Sequence, residues 1–271
     1  MVKILRRILN FARRNGYGLL VDKIIYYYYN IKYSQNNEEF IKLNPTIPLP
    51  PSYMLFESYK LNYRDYYIYG RETAEWILNL ISNHIDLNKQ IKILDWGCGP
   101  SRVIRHLPQL LKDKSIIYGS DYNEDTISWN TRNIFGINFI KNDLIPPLKF
   151  ENNYFDVVYS ISVFTHLSEK LFLPWIIELN RILKHGGILI FTLHGDAFKI
   201  KLKESEQTQF INGNAVNHYS DIEGHRSYST FHPRMYVERS IQGFFKIEKI
   251  LPGEIKNGIP QQDTWIIRKS N

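Results

Sequence analysis

The chain has 271 residues, 44% of them hydrophobic, which suits one large domain with appendages. A single cysteine excludes an internal disulfide and fits a reducing compartment. No apolar run reaches the roughly 18 residues that a membrane-spanning helix needs. Residues 1–33 carry seven bases against one acid, net +6, so only +1 of the total +7 belongs to the rest. An enzyme of nucleic acid is expected to ring its active-site mouth with basic residues, and this distribution argues against one.

The first segment places Ile4, Leu5, Ile8, Leu9 and Ala12 at helical spacing, interleaved with Lys3, Arg6, Arg7, Arg13 and Arg14. It does not read as a signal peptide, because the bases interrupt the apolar run and no small-residue cleavage site follows. Two placements suit such a helix: an anionic membrane surface, or docking on its own domain or a partner. Tyr26 to Tyr29 read as packing on two faces of one element. Asn44 to Pro51 is proline-rich and is expected to be extended. A tyrosine-rich stretch from Tyr59 to Gly70 then leads into an amphipathic helix predicted over Arg71 to Ile85.

Ile91 to Arg102 is the most informative stretch. A short apolar run, read as a buried parallel strand, ends in Asp95 and passes at once into the turn Gly97-Cys98-Gly99. The glycines permit a tight turn and close approach of backbone to a ligand. Val103, Leu107 and Leu110 follow at helical spacing, with Ser101 as the expected N-cap. Strand, glycine turn and helix N-terminus together make a nucleotide-type site. Cys98 reads as a small turn residue, since no acid–base partner adjoins it.

Further strands are predicted over Ser115 to Ser120, closed by Asp121, over Ile137 to Lys141, ending at Asn142-Asp143, and over Phe155 to Ser162. A helix from Asn123 to Asn133 separates the first two, with Asn123 as cap and acids in its first turn. A second helix, with Ile176, Leu179 and Leu183 on one face, is expected to stop at Gly186-Gly187. Ile188 to Leu193 is the fifth strand, and Phe245 to Leu251 with Thr264 to Lys269 adds an antiparallel pair. An ionised acid at the end of the second strand can accept hydrogen bonds from both ribose hydroxyls.

A dinucleotide fingerprint needs glycine at its sixth position, where this chain has Arg102. Asp95-Trp96-Gly97-Cys98-Gly99 instead resembles the first motif of the class I S-adenosylmethionine-dependent methyltransferases, with Ser101 where that family often has a third glycine. The match runs in order from Ile91 to about Gly195. The resemblance implies an α/β fold: a Rossmann-like seven-stranded sheet, mostly parallel with its last strand antiparallel, and a helical N-terminal extension. It implies S-adenosyl-L-methionine as cofactor, held by Asp95, Gly97, Cys98, Gly99, Arg102, Asp121, Tyr122, Asp143, Leu144 and Ser160. Within that set Asp121 takes the ribose and Asp143 the adenine amino group. Leu49-Pro50-Pro51, Tyr69-Gly70-Arg71, Arg102-Val103, Ser162 to Leu167 and the C-terminal Pro252-Gly253, Gly258 and Gln262-Asp263 resemble a bacterial subgroup found beside surface-polysaccharide synthesis functions.

The implied organisation is a basic arm over 1–44 and a methyltransferase domain over 45–271, with an acceptor lid at about 196–232. His166 and His194, just past the fourth and fifth strands, are the candidate bases, since histidine titrates near neutrality. Tyr69, Arg71, Arg226, Tyr228 and His232 are the candidate acceptor contacts. Arg102 and Arg226 suit either an anionic acceptor or the cofactor carboxylate. The histidine spacings match no tight metal-ligand motif. The expected reaction is O-methylation of a sugar, glycan or other small molecule in the cytoplasm, with residues 1–33 either a peripheral membrane contact or a partner-docking element. A nucleotide-cofactor oxidoreductase and a catalytically silent cofactor-binding module are the competing readings. The oligomeric state is not legible.

Overall fold

A computed structural model describes residues 17–112, 114–218 and 222–270. The amphipathic segment expected over residues 4–12 lies outside them.

The centre is a seven-stranded sheet in the order β3-β2-β1-β4-β5-β11-β8. Its strands are β1 (Lys92–Trp96), β2 (Ile116–Asp121), β3 (Asn138–Lys141), β4 (Phe155–Ser160), β5 (Leu183–Leu193), β8 (Phe245–Leu251) and β11 (Asp263–Lys269). The first five are parallel, and β11 runs antiparallel to both β5 and β8. Strands buried on both faces sort their side chains by alternation. Leu94 and Trp96, Val158, Leu189 and Phe191, and Trp265 and Ile267 pack into one core. Ile93, Val157 and Tyr159, Ile188 and Ile190, and Ile266 pack into the other.

Helices cover both faces. α1 (Gly18–Leu43), α2 (Ser52–Ser58) and α3 (Tyr63–Ser82) precede β1. α4 (Leu107–Leu110), α5 (Glu124–Asn133) and α6 (Glu169–Ile182) lie within the parallel part. Residues 196–232 carry α7 (Glu204–Ile211) and the hairpin β6 (Val216–His218) and β7 (Ser229–Phe231), and α8 (Arg234–Ile241) follows. A small hairpin, β9 (Ile255–Lys256) with β10 (Ile259–Pro260), separates β8 from β11. The 196–232 segment has its own core of Phe198, Leu202, Phe210, Val216 and Phe231, although its sequence shows little periodicity.

Several local expectations are corrected. Ser101 is no N-cap: its φ is +59°, its side chain is buried and its hydroxyl has no hydrogen-bond partner. A single 3₁₀ turn, Ile104–His106, and the short α4 replace the longer helix. Pro108 has no N–H to donate to the carbonyl four residues back, which disfavours one continuous helix through this segment. Gly186-Gly187 do not end a helix either. α6 ends at Ile182, and Gly186, with φ +73°, lies within β5 at a shift in the β4–β5 register. α3 starts earlier than expected, because the Asn62 side chain caps it by accepting from the Asp65 N–H at 3.0 Å. Of the four tyrosines, Tyr26 and Tyr29 pack against the α2–α3 cluster, whereas Tyr27 and Tyr28 are exposed.

Candidate active site

The strand order reverses between β1 and β4, which opens a crevice at their carboxyl ends. β1 delivers Asp95 and the glycine turn there. The Gly97 and Cys98 N–H groups donate to the Ser120 carbonyl at 2.8 and 2.9 Å, and the Asn130 side chain donates to the Gly99 carbonyl at 2.8 Å. Gly97 and Gly99 have φ values of +77° and +49°, a region that penalises any side chain. A Cβ at Gly97 would sit 2.2 Å from Val163 Cγ2, so the loop after β4 closes on this turn. On the other side a Cβ at Gly70 would sit 2.1 Å from the Arg102 carbonyl oxygen, so α3 lies directly against the turn.

Asp121, ending β2, is buried. Its Oδ2 accepts from the Gly99 N–H and its Oδ1 from the Asn123 N–H, each at 2.9 Å. Burial raises its pKa, opposed by those backbone donors. Asp95 is more perturbed: burial raises it to about 7, opposed by a hydrogen bond from Tyr159 and by the Arg102 charge. Asp143 is exposed at the end of β3, beside the partly buried Leu144. The Cys98 thiol is buried and its pKa is pushed well up by burial, in keeping with a turn residue rather than a nucleophile. The Ser160 hydroxyl, at the end of β4, is buried without a hydrogen-bond partner. Arg102 lies over the Tyr59 ring at 4.8 Å and donates to Thr73 Oγ1 at 3.2 Å and to the Tyr69 carbonyl at 3.4 Å.

Residues 222–228 lie across this edge. The Gly224 N–H donates to the His166 carbonyl at 2.8 Å, and its own carbonyl accepts from the Tyr122 hydroxyl at 3.1 Å. Glu223 Oε1 accepts from the Ser168 N–H at 2.5 Å. Arg226 donates to the Phe56 carbonyl and stands 3.7 Å over the Phe56 ring. His225 Nε2 lies 3.3 Å from Glu57 Oε2. The hydrogen bond within this pair raises the His225 pKa and lowers that of Glu57. Glu57 had no motif or spacing to single it out in the sequence; only the approach of α2 to residues 222–228 gives it a role.

His166 is partly buried, and burial lowers its pKa. Its Nδ1 is 2.8 Å from the Tyr228 carbonyl. A carbonyl only accepts, so Nδ1 carries the proton and Nε2 keeps its lone pair. This is the protonation state a general base requires at neutral pH. His194 is close enough to feel the charge of His166, but it stacks on Phe198 at 4.1 Å and burial takes its pKa to about 3. His232 is fully buried, lies 5.0 Å from the Phe172 ring and is likewise lowered to about 3 by burial. The structure brings His166, Arg226 and Tyr228 to one loop cluster. It leaves Arg71 on an exposed face of α3, paired with Glu75 at 3.0 Å, and Tyr69 half exposed on the same helix.

Among the described residues no group of three or more His, Cys, Asp or Glu side chains could hold a metal ion. The glycine cradle, the buried Asp121 carboxylate and the unpartnered Ser160 hydroxyl fit a cofactor that carries a nucleoside and a cationic, hydrogen-bonding tail.

Residues 94–191 match the family model described as "Methyltransferase domain". An uncharacterised RNA methyltransferase of Mycoplasma mobile is 30% identical over 197 residues, which is 71% of this chain and 48% of that protein. The chain thus spans about half the length of that curated relative. A S-adenosylmethionine-dependent methyltransferase of Methanosarcina mazei superposes with a TM-score of 0.54 at 18% identity, over 70% of this chain and 97% of that one. A protein of Pyrococcus horikoshii gives 0.53 at 20% identity, over 74% and 91%.

Proposed function

We propose that this chain, which has the class I S-adenosylmethionine-dependent methyltransferase fold, methylates a hydroxyl of a sugar, glycan or other small molecule. The carrying observation is His166: a neutral imidazole whose Nδ1 proton is committed to the Tyr228 carbonyl and whose Nε2 keeps a lone pair, in the loop after β4. S-adenosylmethionine, when bound, supplies a methyl group on a sulfonium. Asp121 would hold its ribose, with Tyr122, Asp143 and Leu144 around the base. Gly97 and Gly99 would approach its methionine portion, with Asp95, Arg102 and Ser160 lining that end. His166 Nε2 takes the acceptor's hydroxyl proton, and the fixed turn and lid supply positioning, which dominates an in-line displacement.

The division into an arm over 1–44 and a domain over 45–271 with a lid at about 196–232 belongs to this reading, as does a place beside surface-polysaccharide synthesis. The order of short motifs along the chain supports that place. In the same reading the enzyme works in the cytoplasm, held peripherally at the membrane by residues 1–33, and their net charge of +6 supports this.

Calorimetry with S-adenosylhomocysteine and with NAD comes first. Binding of the former alone is expected, and binding of NAD alone would replace this reading with an oxidoreductase. Radiolabelled methyl transfer to sugars, small phenols and RNA follows. The Mycoplasma relative's description makes RNA the comparison arm; label in RNA alone would overturn the small-molecule acceptor, and label in none would leave a binding module.

A further inference from the structure

The first four turns of α1 are apolar on two opposite faces. One face is used: Val21 and Asp22 are buried, Tyr26 meets the Phe56 ring at 5.4 Å and the Ser52 hydroxyl at 2.7 Å, and Tyr29 and Tyr33 pack toward α2 and α3. The other face carries Leu20, Ile24, Tyr27, Tyr28 and Ile31, which are 56, 50, 65, 57 and 78% exposed. At 3.6 residues per turn these five fall within an arc of about 100°. Beyond Ile31 the same arc continues as Gln35, Glu38 and Lys42, all polar and exposed. The apolar patch is therefore confined to the half of the helix that adjoins the basic segment.

We propose that this outer face of α1, from Leu20 to Ile31, docks on an anionic lipid surface. The proposal deepens the peripheral contact of residues 1–33 and rests on that reading for its charge, but it is independent of the acceptor. Charge complementarity selects the occupant. Lys23 and Lys32 are exposed on the two flanks of the stripe, within a stretch of net charge +6. That charge repels a second copy and attracts an anionic surface. Tyrosines suit the boundary between headgroup and acyl chain, with rings in the apolar layer and hydroxyls in water. A helix lying in that plane needs an apolar arc with basic flanks rather than a span. Among the described residues no helix is long and apolar enough to cross a membrane.

The test is sedimentation of the full chain with vesicles of neutral phosphatidylcholine, and of the same lipid with about one third phosphatidylglycerol. The wild type is expected to bind only the anionic vesicles and to be released by salt. Ile24→Asp with Ile31→Asp should lower the bound fraction about tenfold, as expected when apolar burial carries the contact. Gln35→Asp, on the polar continuation of the arc, should change it little. Both side chains are exposed, and unchanged S-adenosylhomocysteine affinity would confirm that the variants fold. Equal binding of the double variant and the wild type would overturn the α1 face while leaving the charge-based contact intact. No binding of the wild type to either vesicle would overturn both. A lipid-free dimer in light scattering, lost in Ile24→Asp, would assign the face to a second copy instead.

Discussion

The Tyr159 hydroxyl on β4 donates to Oδ2 of Asp95 on the neighbouring β1 at 2.8 Å, with both groups buried. Asp95 alternates onto the face that carries Ile93 and Tyr159, so the acid that begins the glycine turn is rooted among apolar side chains. Burial raises its pKa from an ordinary 3.8 to about 7.

A folded-state pKa above the unfolded one means that stability is fully present below about 3.8 and is lost as pH rises through about 7. Asp95→Asn removes this loss while keeping an acceptor for Tyr159. Relative to wild type, the Asn variant should gain about 2 kcal/mol between pH 5.5 and pH 8, the cost of roughly one and a half pKa units. Urea unfolding of the two proteins at both pH values measures this, and parallel changes would refute the buried titration.

Asp121 offers its carboxylate to the expected ribose while the Gly99 and Asn123 N–H groups hold it in place. Asp121→Ala should weaken cofactor binding by about 1.5–3 kcal/mol, the range for hydrogen bonds to a charged group. Calorimetry with S-adenosylhomocysteine reads the change, and circular dichroism checks that the turn has not simply unfolded. Unchanged affinity in a folded variant would remove Asp121 from the ribose.

For His166 the expected signature is in turnover. His166→Ala should lower kcat about 10²–10⁴-fold with cofactor affinity near that of wild type. Because burial lowers the His166 pKa, its proton returns only below 6.5. The acid limb of kcat, measured at saturating cofactor, should therefore fall below that value. A limb above it would point to another base.

The Glu57–His225 pair predicts a pH window for the packing of residues 222–228. His225 has a raised pKa, so its contribution is lost as pH rises through that raised value, and Glu57 has a lowered one, so its contribution is lost as pH falls through that lowered value. Exchange protection of the Gly224 amide, corrected for intrinsic rate, should be highest between these limits. His225→Gln should flatten the dependence. A Gly224 amide equally protected in both proteins at every pH would show that the other contacts of residues 222–228 suffice.

By itself the sequence determined the parallel core. The apolar run before Asp95, the glycines that follow and an acid closing each of the next two strands are local signals, because strand burial and a positive φ act on neighbouring residues. Most strand ends were legible within a few residues for the same reason. Only tertiary structure decided the rest. The register shift at Gly186-Gly187 overruled a good helical pattern, because strand pairing acts across elements, whereas the break at Pro108 is a local signal. The His166 tautomer depends on a carbonyl 62 residues away, and Glu57 meets His225 only because α2 packs beside residues 222–228. The +6 of residues 1–33 was countable from the start. Which apolar face of α1 remains uncovered was not, because burial is a property of the neighbours and a periodic pattern does not name them.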